Sequence, residues 1–244
     1  MSGHSHWATI KHKKAAADSK KNKVFSKHAR AVMVAAKQGG GDPDTNIKLQ
    51  YAVEAARADN MPRDNIERAI KRATGEMEGV RFEEVTYEGY GPGGVAFLVE
   101  TLTDNRNRTA SDIRKTFETR GGKMGAAGSV GYLFERKGVI RIPANTTTED
   151  DLMMAALDAG ADNLTREGDH FVVTTGPTEL DKVRKALAGK FKIEAFEMMM
   201  IPKDFVKVDA EVGRRLLDFM DVLDELDDVQ KIFSNFELPE TVAP

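Results

Sequence analysis

The spacing of apolar residues changes once along this chain, near Gly79, and that change constrains the fold more than any other feature. Upstream, Val24, Phe25, Ala31, Val32 and Ala35 recur at helical spacing between Asp18 and Gln38, which predicts a basic amphipathic helix stopped by Gly39-Gly40-Gly41. A second helix is predicted after Asp44, with Ile47, Tyr51, Ala52, Ala55 and Ala56 on one side. A third opens at Pro62, where a missing N–H donor costs nothing, and carries Ile66, Ala69, Ile70 and Ala73 up to Gly75. Downstream, β-branched and aromatic runs bounded by glycine switch the period to that of strands.

The downstream part divides by element order. Strands are expected at about 82–88 and 94–101, then a helix from the Thr109-to-Asp112 capping box to Arg120, a glycine loop over 121–131 and a strand at about 130–135. Residues 138–200 spell βαββαβ, the split-βαβ order, including a second capping box from Thr148 to Asp151. A strand at 203–208, an Asp209-capped helix to about Leu226 and a strand at 229–235 close the chain. The expected fold is therefore α+β. A basic leader and helical domain (1–79) precedes two α/β domains with antiparallel sheets and helices on one face, the second inserted in the first. The outer one is expected at 80–136 plus 202–238, and the inserted ferredoxin-like one at 137–201. A length of 244 residues fits such a division better than one core.

Charge is distributed unevenly. The formal net charge is only -3, but residues 1–37 hold nine basic side chains against Asp18 alone, whereas residues 201–244 hold eleven acidic against five basic ones. A cationic arm on an otherwise acidic protein suits phosphate-backbone contact, because each neutralised phosphate releases counterions. A solvated, solubilising tail is the alternative reading. Trp7, the only tryptophan, sits among histidines and lysines and could stack on a base or dock the arm on the protein itself. A second basic cluster, Arg106, Arg108, Arg114, Lys115, Arg120 and Lys123, flanks the glycine loop, whose amides could also hold phosphate oxygens. An ordinary charged surface helix is the competing reading there.

Other patterns point away from chemistry. Gly89-Tyr90-Gly91-Pro92-Gly93-Gly94 fits a dinucleotide fingerprint but leads into the strand-like Val95-Ala96-Phe97-Leu98-Val99 where such a site needs a helix, so it is assigned to a hairpin turn. Asp42, Asp44 and Asn46 begin like a calcium loop, yet Ile47 stands at the glycine position and Val53 at the bidentate glutamate. With Met1 removed, Ser2-Gly3-His4 would offer a planar copper or nickel geometry, a pattern that small polar termini produce incidentally. Asp218, Asp221, Asp224, Glu225, Asp227 and Asp228 alternate with Leu216, Phe219, Met220, Leu223 and Leu226, as on the wet face of an amphipathic helix. Met198, Met199 and Met200 read as strand packing. Cysteine is absent, which removes disulfides, thiolate metal sites and thiol nucleophiles together. No run of 18 apolar residues and no secretory pattern occurs, so a cytoplasmic chain without membrane contact is expected, and the sequons at Asn107, Asn145 and Asn163 are chance matches.

The stretches GHSHWATIKHKK, QGGGDPD, NMPRDNIERAIKRATGE, YEGYGPGG, TDNRNRT, GSVGYLFERKG and LDDVQKIFSNFELP, in this order and spanning nearly the whole chain, closely resemble the YebC/PmpR family. Its eukaryotic members include a mitochondrial translational activator of cytochrome c oxidase subunit I. The resemblance implies a three-domain cytoplasmic protein, in bacteria a DNA-binding transcriptional regulator, with family links also to translation and the ribosome. It brings no catalytic residues and no cofactor. His6 stands where the family often has lysine, which slightly lowers the charge of the leader.

The leading expectation is a non-enzymatic nucleic-acid-binding regulator of gene expression, acting on DNA by resemblance. Its phosphate contacts would come from His4, His6, Trp7, Lys11, Lys13, Lys14, Lys20, Lys21, Lys23, Lys27 and Arg30, with Arg106, Arg108 and Lys123 as a second contact. The alternative is a translation factor whose arm touches structured RNA on the ribosome. Without a zinc finger, heptad dimeriser or clear helix-turn-helix, shape-directed contact is favoured over base readout. No small-molecule substrate, cofactor or metal is expected.

Overall fold

Helical periodicity in the first third and strand periodicity thereafter become three helices followed by two mixed layers in the computed structural model, which describes residues 17–75 and 82–239, with side chains from Lys23 onward. Helix α1 (Ala17–Gly39), α2 (Ile47–Ala58) and α3 (Arg63–Thr74) bury Val32, Ala35, Ala36, Leu49, Val53, Ala56, Ile66 and Ala69 in one small-residue core. The connection between α1 and α2 is pinned by Asn46. Its side chain accepts the Leu49 N–H and donates to the Ala35 and Gly40 carbonyls, so the would-be calcium loop is a helix cap.

The chain forms two compact units that it enters more than once. One unit, over 13–130 and 214–232, joins the three helices to strands β1 (Glu83–Tyr90) and β2 (Ala96–Thr103), helix α4 (Arg106–Thr119) and the short β3 (Lys123–Met124). β1 and β2 pair antiparallel across the turn at Pro92–Gly94, where Gly93 and Gly94 take φ of 73° and 74°. The glycine pattern there is a hairpin, as expected. The sheet is ordered β3-β1-β2-β9, with β9 at Val229–Ser234. Its core centres on three rings packed edge to face, Phe97 of β2, Phe117 of α4 and Phe219 of helix α7 (Ala210–Asp224), with centroid separations of 4.9 to 6.5 Å.

The other unit, over 131–213 and 233–244, holds β4 (Phe134–Pro143), α5 (Glu149–Ala159), β5 (Asn163–Glu167), β6 (His170–Thr175), α6 (Leu180–Ala188) and β7 (Ala195–Pro202). Its antiparallel sheet runs β5-β6-β4-β7, which is the split-βαβ arrangement. Thr148 caps α5 through the Asp151 N–H as its sequence requires. Gly138 lets α6 approach β4: a Cβ there would meet the Thr175 hydroxyl and lie 2.7 Å from the Leu180 Cβ. Gly138→Ala is therefore expected to destabilise the protein by about 1–3 kcal/mol, read as a lower denaturant midpoint.

Three element expectations change. Of the strand expected at 130–135 only Phe134 and Glu135 are extended: Gly131–Leu133 form a 3-10 turn, and Phe134 opens β4, which runs on without a break into the following strand and pairs with β7 from Phe134 to Arg141. Helix α4 begins three residues before Thr109. Asn105 is the cap, accepting the Arg108 N–H at 3.1 Å, and the Thr109 hydroxyl turns inward instead of capping. The expected strand at 203–208 shrinks to β8 (Val206–Lys207), in a two-stranded parallel pair with β10 (Phe236–Glu237).

Candidate nucleic-acid interface

Of the residues expected to hold phosphates, His4, His6, Trp7, Lys11, Lys13 and Lys14 lie outside the described residues, and the side chains of Lys20 and Lys21 do as well. The remainder separate into engaged and unengaged cations. Lys23, Lys27 and Arg30 follow one face of α1 at positions i, i+4 and i+7, and all three reach the end of α7 or the chain just beyond it. Lys23 Nζ donates to the Glu225 carbonyl. Lys27 Nζ donates to the Asp224 carboxylate at 2.7 Å and to its carbonyl at 3.0 Å. Arg30 donates to the Asp227 carbonyl and, at 3.0 Å, to Asp228 Oδ1.

Asp228 is the convergence point. It is 7% exposed and lies ahead of β9, so it does not belong to the wet face of α7 on which its spacing placed it. Its Oδ2 accepts from the Thr109 hydroxyl at 2.6 Å, from Arg108 at 2.8 Å and from Thr103 at 3.4 Å, while its carbonyl accepts the Leu102 N–H at 2.8 Å. Burial alone would raise its pKa, but the hydrogen bonds from Arg108 and Thr109 and the charges of Arg108 and Arg30 outweigh it and hold the carboxyl below the usual range. Hydrogen bonds to Asp228 and then Asp104 push Arg108 the other way, so it stays charged. The TDNRNRT stretch is thus largely structural: Asn105 caps, Thr103 and Thr109 bind Asp228, and Arg108 bridges Asp104 and Asp228.

The glycine loop is also occupied from within. Glu88 of β1 accepts the Gly128 N–H at 2.7 Å and the Val130 N–H at 2.8 Å, so two amides that could have faced a phosphate face a carboxylate. What the fold leaves outward is different. Arg106, Arg114 and Lys115 on α4 and Lys123 on β3 are exposed with no carboxylate partner among the described residues. Arg214 and Arg215 of α7 are likewise exposed, and Arg215 reaches the turn after α4: its Nη2 would lie 3.0 Å from a Cβ at Gly121. The Arg120–Asp218 pair spans the same place at 2.5 Å. Spacing could not have joined Arg214 and Arg215 to this cluster, because about 100 residues separate them from α4.

Among the described residues no group of three or more His, Asp and Glu side chains is placed to hold a metal ion, and no helix is long and apolar enough to cross a membrane. His170, between Asp169 and Glu194, ties the start of β6 to the segment before β7.

A helical domain followed by two α/β layers, with exposed basic side chains on α4, β3 and α7, defines the class. The chain belongs to the TACO1/YebC family: residues 5–76 match the family's N-terminal domain, and residues 82–236 match its second and third domains. A protein of Desulforapulum autotrophicum named "Probable transcriptional regulatory protein" is 51% identical over 99% of this chain and 98% of its own. One of the same name from Rubrobacter xylanophilus is 53% identical over 99% and 98%. The crystal structure of a conserved hypothetical protein from Aquifex aeolicus superposes with a TM-score of 0.87 at 45% identity, covering 97% of this chain and 98% of that one.

Proposed function

We propose that this protein is a non-enzymatic regulator of gene expression that binds DNA through its phosphate backbone and acts on transcription. The observation that carries the reading is the set of exposed cations without a carboxylate partner among the described residues, Arg106, Arg114, Lys115, Lys123, Arg214 and Arg215, on a chain whose carboxylates outnumber its basic groups. Arg106 sits at the first position of α4, where the helix dipole disfavours a cation, so its charge does not stabilise that helix. A phosphate is the ligand that would use it. The lysine-rich leader adds a second, sequence-independent grip, and the names of the relatives, probable transcriptional regulatory proteins, support a role in transcription.

Filter retention on a promoter fragment and a random duplex at modest salt tests this. Arg106→Gln, Arg114→Gln, Lys115→Gln and Lys123→Gln together are expected to weaken duplex binding about tenfold or more and to leave the melting midpoint in place. Unchanged affinity would remove the α4 surface from the reading. Co-sedimentation with ribosomal particles combined with no duplex retention would overturn it altogether.

A further inference from the structure

We propose that the acidic segment Asp224–Asp228 is an internal stand-in for a nucleic-acid backbone, seated on the Lys23, Lys27 and Arg30 face of α1 and displaced when DNA binds there. The inference rests on the nucleic-acid reading above and concerns the regulation of that site.

Two observations carry it. Lys23 and Arg30 lie seven residues apart on α1 with Lys27 between them, about 10 Å of helix axis, which is roughly three phosphate-to-phosphate rises on one DNA strand. Over that span each cation donates to oxygen of one five-residue segment, in which four residues are acidic and which also presents the carbonyls at the end of α7, the negative pole of that helix. The segment therefore offers both full and partial negative charge, spaced along the helix as a backbone would offer it.

The second observation is an asymmetry of burial. The Lys27 side chain is 15% exposed but its partner Asp224 is 68% exposed. Glu225 and Asp227 are exposed too. Pairs with one wet partner are weak and exchange readily, so a ligand of higher charge density can replace them. Asp228 is the exception. Thr103, Thr109 and Arg108 hold it independently of α1, and Arg30 stays bonded to it, so it anchors the segment while the contacts of Lys23 and Lys27 exchange.

The consequence falls on the binding surface. With the segment seated, three cations of α1 lend little to phosphate capture. Affinity is therefore set by the leader and by α4 until the carboxylates are displaced.

The test uses the full chain and a fluorescent random-sequence DNA duplex. Asp224→Asn, Glu225→Gln and Asp227→Asn together leave Asp228 intact. A control, Glu149→Gln, Asp150→Asn and Asp158→Asn, removes the same charge from exposed positions on α5 in the other unit. The first variant is expected to bind the duplex about tenfold tighter with a salt slope steeper by about two, and the control to change less than about twofold. Adding Lys23→Gln and Lys27→Gln to the first variant should return affinity to the wild-type level. Asp224→Asn alone, at the most exposed partner, should give about a threefold gain with the fold intact. Equal tightening in the control, no tightening, or a gain that survives loss of Lys23 and Lys27 overturns the proposal. When wild type binds through its leader and the neutralised variant binds no tighter, this proposal fails alone. When no form retains duplex, the nucleic-acid reading fails and takes the proposal with it.

Discussion

Asp228→Ala is expected to lower the melting midpoint by about 10 °C, corresponding to about 3 kcal/mol. The loss comes from what the substitution leaves behind. The Thr103 and Thr109 hydroxyls are buried and lose their shared acceptor, and Arg30 loses its carboxylate partner. Asp228→Asn keeps an acceptor and should cost roughly half as much. The two variants separate in their pH dependence. Because the folded carboxyl titrates below its unfolded value of about 4, its contribution is complete above that value and disappears as pH falls through the lower folded one. Wild type should therefore lose stability from about pH 5 downward more steeply than Asp228→Asn, in which this group no longer titrates. Parallel acid limbs in thermal melts of the two proteins would show that the charge of Asp228 is not what α1, β2 and α4 share.

The residues around Asp228 mark where the sequence stops being readable. The helices were legible because their apolar spacing is local, and the hairpin because two glycines with positive φ sit between two strand-like runs. The βαββαβ order was legible for the same reason, each element being bounded by its own cap or turn. The inward roles of Arg108 and Thr109 were not legible because their shared partner Asp228 lies about 120 residues away, and a carboxylate that far along the chain leaves no periodic trace. Asp228 itself looked like one more wet carboxylate, since helical spacing continued past the point where α7 ends. The β4 strand was cut short for a related reason. Gly138 looks like a boundary in one dimension, but it is a mid-strand position where α6 presses on the sheet. The glycine loop of 121–131 looked like an open nest because Glu88, which fills it, belongs to a strand some 40 residues earlier.

The largest expected effect on binding belongs to the leader. Changing Lys11, Lys13, Lys14, Lys20, Lys21 and Lys23 to glutamine removes six of the nine basic groups in residues 1–37. Each lysine that neutralises a phosphate contributes a slope of about -0.9 in log affinity against log salt, so loss of several contacts should flatten the slope by about three to five. Affinity for a random duplex at low salt should fall by about two to three orders of magnitude, while the melting midpoint stays within a few degrees. The stability side follows from placement: Lys23 donates to one carbonyl at an exposed site, whereas the apolar α1 positions that hold the three-helix core, Val32, Ala35 and Ala36, are untouched. A chain beginning at Val24 should behave like the glutamine variant. If that shortened chain held DNA and RNA as firmly as the intact one, capture would have to run through α4 and α7 alone, and the contrast between a loaded arm and an acidic body would have no part in binding.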